Sequence, residues 1–152
     1  MDRQRRRRGG ADPGAAGVGG AVSAASVPVT AFVIERARWL RGEGSAASCL
    51  LRASDGRMCC LGFYGAACGL SRDELLGVRD FCGPGAAPVR QRPHMAWLLG
   101  VSVYPGRYTV AQERVAQERL VNVNDDPSLP EATREAQITA LFAEQGIAVT
   151  FV

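Results

Sequence analysis

Apolar positions recur in two rhythms along this chain, and the changes between them mark out its elements. From Thr30, a residue suited to an N-cap, Phe32, Val33, Ile34, Ala37 and Leu40 fall on one side and Glu35, Arg36, Arg38 and Arg41 on the other. That spacing predicts a helix, closed by Gly42 and Gly44. Residues 48–53 form a short, partly alternating run bounded by turn residues, which predicts a strand. Asp55-Gly56 favours a type I′ turn that returns the chain through Arg57 and Met58 as a second short strand. Residues 61–68 then read as a helix, although Gly62 and Gly65 each cost about 1 kcal/mol relative to Ala there. Two glycines three apart on a helix let another backbone come close, so both point to tight packing in a small core. Gly69 fits the residue after the helix, and Ser71 fits the N-cap of a short helix over 72–78.

Regular rhythm is lost over 80–93, where Gly83-Pro84-Gly85, Pro88 and Pro93 predict a long loop. An apolar patch around Trp97 follows, as a helical turn or two over 94–99, and Val101, Val103 and Tyr104 predict a strand before Pro105-Gly106. The sequence V-A-Q-E-R then occurs twice in succession from Val110. A five-residue step fits no repeat architecture, so the segment is expected to be one amphipathic helix with Val115 and Ala116 inward. Residues 122–126 should stop it. Ser128 and Glu131 have capping-box spacing, with Pro130 in the first turn of a helix that carries Ile138, Leu141 and Phe142 on one face and ends at Gly146. Residues 147–152 alternate as a strand, expected to pair with 48–53. The fold class is α+β: a small, mainly antiparallel sheet packed against several helices in a single domain over 28–152.

Composition changes this picture in two places. At 152 residues the chain is long enough for one domain with a proper core. All of its 18 basic side chains are Arg, a bias that a GC-rich coding sequence produces. Five of them lie in the first eight residues, and from Thr30 onward 13 Arg face 13 Asp plus Glu. The folded part is therefore neutral, and the basic character belongs to residues 1–27. That stretch of Arg, Gly, Ala and Ser has no apolar period and is expected to be a disordered tail, with nucleic acid a conceivable partner for it alone. The odd cysteine count, the adjacent Cys59 and Cys60 and the lack of an apolar export segment imply a reducing compartment, and no run approaches the ~18 apolar residues of a membrane span. The expected location is the cytoplasm, with no membrane partner.

Candidate chemistry centres on the start of the helix over 61–68. A thiol in a first helical turn faces the positive end of the helix dipole, which favours thiolate. The chain has one histidine, so a nucleophile–base pair must be Cys60, or Cys59, with His94. Metal binding has little support: the cysteines include no C-x-x-C pair, and residues 122–126 lack the glycine and terminal Glu of a calcium loop. No phosphate-cradling glycine loop is present either, and no motif calls for a cofactor. In the Pro/Gly-rich loop region, Arg79, Arg90 and Arg92 present forked donors suited to carboxylate or phosphate. Trp39 is expected in the core or at its rim, with a platform for a ligand as the alternative.

The segments W-L-R-G-E-G (from Trp39), L-L-R with D-G-R-M-C-C-L-G-F (from Leu50) and V-N-D-D (from Val123) together resemble a group of small phage and prophage proteins. This resemblance covers roughly Trp39 to the end and implies a setting, a mobile element acting in a host cytoplasm, without a chemistry. Locally, Cys60-Leu61-Gly62-Phe63 resembles the D-C-S-G-F corner of the NlpC/P60 papain-like peptidases. It departs from that corner at Cys59, which replaces an acid, and at Leu61, which replaces a small Ser. The reading ranked first is a non-enzymatic binding protein for a host protein or a small anionic ligand, such as a nucleotide signal used in defence. A Cys60–His94 hydrolase and a structural or oligomer-forming accessory protein are the alternatives.

Overall fold

The computed structural model describes residues 29–43, 46–81 and 110–152, with side chains of the last stretch from Val115. The expected tail over 1–27, most of the loop over 80–93, the turns over 94–99 and the strand at 101–104 lie outside the described residues.

Its elements are β1 (Ala31–Ile34), a 3-10 turn (Arg36–Arg38), α1 (Cys60–Ala67), α2 (Arg72–Leu75), α3 (Val110–Asp125), α4 (Glu131–Ala143) and β2 (Ala148–Phe151). The class is α+β, as the sequence predicts, but the sheet is parallel. β1 and β2 pair in parallel register from Ala31 opposite Ala148 to Ile34 opposite Phe151. Parallel neighbours need a crossover to carry the chain back, and here every described helix lies in that crossover.

Residues 30–40 are therefore strand and 3-10 turn where the sequence predicts a helix. Exposure alternates along β1, with Phe32 and Ile34 buried and Ala31 and Val33 facing out. The run Phe-Val-Ile suits both periods, and pairing with β2 decides between them. β2 thus takes β1 as its partner, not residues 48–53. These residues form no ladder strand, and Leu51 makes only an isolated parallel bridge to Leu76. They belong to an irregular layer in which 57–59 lies between 38–40 and 49–52. Leu40 N–H donates to Met58 O (2.8 Å) and Met58 N–H to Arg38 O (3.0 Å) on one side, and Cys59 N–H donates to Cys49 O (3.3 Å) on the other. Leu50 N–H donating to Val78 O (2.7 Å) adds a fourth segment. The turn between 49–52 and 57–59 is wider than the two-residue form expected. Arg52 N–H donates to Arg57 O (2.8 Å) and Gly56 N–H back to Arg52 O (3.0 Å), with Asp55 Oδ1 accepting from Arg57 N–H.

α1 is the centre of the core. All its residues from Cys60 to Gly65 are buried, as expected of a helix that is apolar on every side. β1, α2 and α3 all pack on it. Phe32, Tyr64 and Phe142 meet in a three-ring cluster, with Phe32 edge-on to Tyr64 (5.4 Å) and to Phe142 (4.9 Å). The close approach expected at the two glycines is present. A Cβ on Gly62 would stand 1.8 Å from the carbonyl oxygen of Leu50, and one on Gly65 would crowd Leu75, Leu70 and Phe81.

Ser71 caps α2 in a full capping box with Glu74, but the helix is shorter than expected and ends at Leu75. α3 ends within the expected stop, at Asp125, so residues 122–125 are its last turn. Its buried residues are Gln117, Leu120 and Asn124, while Val115, expected inward, is exposed and Ala116 is half-buried. At the start of α4 the expected Ser128–Glu131 box is replaced. Pro130 occupies the N-cap without a side-chain bond, and Ser128 donates from both N–H and Oγ to Asp126 Oδ1. Ile138, Leu141 and Phe142 share the buried face of α4, and Gly146 follows the helix with φ +74°.

Candidate functional site

The segments that carry the sequence motifs converge on one buried amide, that of Asn124. Asn124 lies in the last turn of α3 and is fully buried, one helical face with Gln117 and Leu120. Its Oδ1 accepts from Trp39 Nε1–H (2.8 Å) and from the Cys60 backbone N–H (3.3 Å) at the start of α1. Its Nδ2 has the Leu40 carbonyl (3.0 Å), Ser48 Oγ (3.1 Å) and Asp125 Oδ1 (2.8 Å) within reach. An amide oxygen can accept two hydrogen bonds and an amide nitrogen donate two, so this side chain is saturated. Asp125 extends the junction by accepting from Ser48 N–H (2.9 Å). Gly42 N–H donates to Asn124 O (3.4 Å), and a Cβ at Gly42 would lie 2.5 Å from Asp125 O. W-L-R-G, S-C, C-C-L-G and N-D-D are thus parts of a single polar clamp that joins three distant stretches of chain.

Trp39 serves this clamp. It is buried, with its indole against Phe151 at 5.0 Å and the Arg41 guanidinium 4.7 Å from its ring centre. Covered in this way, it is a core residue and offers no platform to a ligand. Arg41 in turn pairs with Glu131, and Arg36 grips Glu135 through two bonds (2.6 and 2.9 Å), so 36–41 is held to α4 from outside. The Arg36 guanidinium keeps the Glu135 carboxyl below its ordinary pKa.

Cys60 sits at the first position of α1, as the sequence places it, but it is fully buried and its thiol is held well above the ordinary value, chiefly by burial and then by the neighbouring Cys59. Burial also pushes the Cys59 thiol up to about 12, against the pull of the Gly62 and Leu61 backbone N–H groups. Here desolvation outweighs the helix dipole that was expected to favour thiolate. His94, its proposed base, lies outside the described residues. Cys49 is half-buried, and its thiol is raised by burial in opposition to the Arg52 charge.

Of the anion-binding arginines, Arg90 and Arg92 lie outside the described residues. Arg79 is exposed and makes no ion pair with another described residue. It stands one residue beyond Val78, whose carbonyl holds Leu50 N–H, and two before the fully buried Phe81. The base of the arginine-bearing segment is therefore anchored in the core. A separate open hollow of about 360 Å³ lies between α3 and α4, floored by Val123, Ala140 and Leu141. Arg119 and Glu144 line it and neutralise each other through paired bonds (3.1 and 3.3 Å).

Among the described residues no three His, Cys, Asp or Glu side chains group as metal ligands, and no helix is long and apolar enough to cross a membrane. The fold and its buried clamp define a small α+β domain whose most polar centre is structural. Comparison with protein-family models, with curated proteins and with solved structures finds no match to this chain.

Sequence reasoning missed the clamp because it took 122–126 as a helix stop. A signal was available: Gln117, Leu120 and Asn124 fall at i, i+3 and i+7, the spacing of a buried helical face.

Proposed function

We propose that this chain is a binding protein without catalytic chemistry, of the phage or prophage type, acting inside a host cell on a small anionic ligand of the nucleotide class. The observation that carries the first half is the Asn124 clamp. Trp39, Cys60, Asn124 and Asp125 look chemical in the sequence, and each is committed to holding the fold. A Cys–His hydrolase needs an accessible, activated thiol, and the burial of Cys60 counts against one.

The ligand class follows from what is left over. Arg79 is exposed and free of ion pairs among the described residues, and Arg90 and Arg92 follow in the same segment. Forked guanidinium donors bind phosphate in pairs better than singly. Thermal unfolding of the full chain with nucleoside mono-, di- and triphosphates, and with inorganic phosphate as the control, tests the reading. A nucleotide should raise the midpoint, and an Arg90→Ala, Arg92→Ala double variant should lose the shift while unfolding normally on its own. A shift that survives in the double variant removes this site. No shift with any phosphate compound removes the ligand class.

A further inference from the structure

The hollow between α3 and α4 is built from residues to which neither the clamp nor the arginine-bearing segment gives a use. Its volume of about 360 Å³ falls near the lower end of the roughly 300–1,000 Å³ of small-molecule sites. The floor is apolar, with Val123 from α3 and Ala140 and Leu141 from α4. Both helices are anchored behind it, α3 by the buried Leu120 and Asn124 and α4 by the buried Ile138 and Phe142. The walls therefore stand on packed helices, and the hollow is formed before any ligand arrives.

Four polar side chains rim this floor, and they are of two kinds. Arg119 and Glu144 are spent on each other, through bonds of 3.1 and 3.3 Å. The hollow thus carries no net charge, which suits a neutral ligand better than an ion. Asn122 and Gln137 also line it; both are exposed, and neither side chain bonds to another described residue. Each amide sets an accepting oxygen beside a donating nitrogen. A flat neutral molecule, with apolar faces and a donor next to an acceptor on its edge, matches floor and rim together. Nucleobases have this form, and the free groups choose among them. A Gln or Asn amide pairs with adenine, accepting from N6–H and donating to N7, whereas guanine is read by Arg and cytosine by a carboxylate. Here the Arg and the carboxylate are taken, and the amides are free.

We propose that this hollow binds an adenine base, laid on Val123 and Leu141 with its N6–N7 edge at the Asn122 and Gln137 amides. Its mouth is open, so the ribose stays in solvent. The site needs no phosphate and does not rest on the arginine-bearing segment. Methyl NMR of the full-length protein, titrated with adenosine, guanosine, cytidine and uridine and with ribose as the control, tests it. Ring currents from adenosine should shift the Val123 and Leu141 methyl signals, and guanosine should bind about tenfold or more weakly. An Asn122→Ala, Gln137→Ala variant should lose adenosine affinity by a similar factor with its urea midpoint unchanged, because both side chains are exposed. Ala140→Trp, which fills the hollow from an exposed position, should abolish binding. Nucleosides carry no phosphate, so failure here leaves the arginine reading standing, and failure of the phosphate titration leaves this one. Unmoved methyl signals with every nucleoside at millimolar concentration would overturn the proposal, as would equal binding of all four or a preference for guanosine. Adenosine binding that survives Ala140→Trp would put the base elsewhere and overturn it too.

Discussion

At the scale of single residues, the clamp gives the sharpest expectation. Asn124→Ala removes one side chain but strands the Trp39 Nε1–H, the Cys60 N–H, the Leu40 carbonyl and the Ser48 hydroxyl in a buried place. Each stranded group costs its desolvation, so the variant should lose about 3 kcal/mol or more in urea titration. Gly62→Ala should be equally severe, because its Cβ would stand 1.8 Å from a backbone oxygen that cannot swing aside. Gly69→Ala is the control. Its φ is +83° but nothing lies within 4 Å, so it should cost only the left-handed strain of about 1–2 kcal/mol. The role of Gly62 was legible, because paired glycines in an apolar helix have few other uses. That of Asn124 was not, because its partners lie some 60 to 85 residues away in sequence and local patterns carry no such distances.

Elements whose signals are local were readable. α1 declares itself by a run of apolar residues between turn signals, and α2 by a Ser and a Glu three residues apart. Ser71→Ala should cost about 1 kcal/mol, seen as a small fall in the urea midpoint with an unchanged slope. Elements settled by tertiary partners were misread. β1 satisfies a helical pattern as well as a strand pattern until β2 is beside it, and at the start of α4 Ser128 is drawn into the preceding turn and not into a cap. There Asp126 displaces the expected Ser128–Glu131 box, because its carboxylate takes both donors of Ser128, which also holds its pKa low, and Pro130 is left at the N-cap. Arg134, buried beneath this turn, donates to the Asp126 carbonyl and closes the C-terminal end of α3.

For the molecule as a whole, acid stability follows from the paired carboxylates. Asp55, between Arg52 and Arg57, is lowered to about 2 from an ordinary 3.8, and Glu135 is lowered from 4.5 by Arg36. Groups depressed in the folded state bind more protons when unfolded. Their contribution is complete above the ordinary carboxylate values and drains away as pH falls through the folded ones. Urea midpoints measured from pH 7 to pH 2 should stay level to about pH 5 and then decline; an Arg52→Ala variant should show a shallower decline. The α+β class could be read from the sequence, because it needs only the mix of periods, whereas the parallel sheet could not, because it depends on which strand meets which. That pairing has a consequence for biosynthesis. β1 leaves the ribosome well before β2, the only strand partner it has among the described residues. Until β2 is made, Phe32 and Ile34 lack that partner, and nascent chains halted before Ala148 should be degraded by protease where chains extending through Val152 resist.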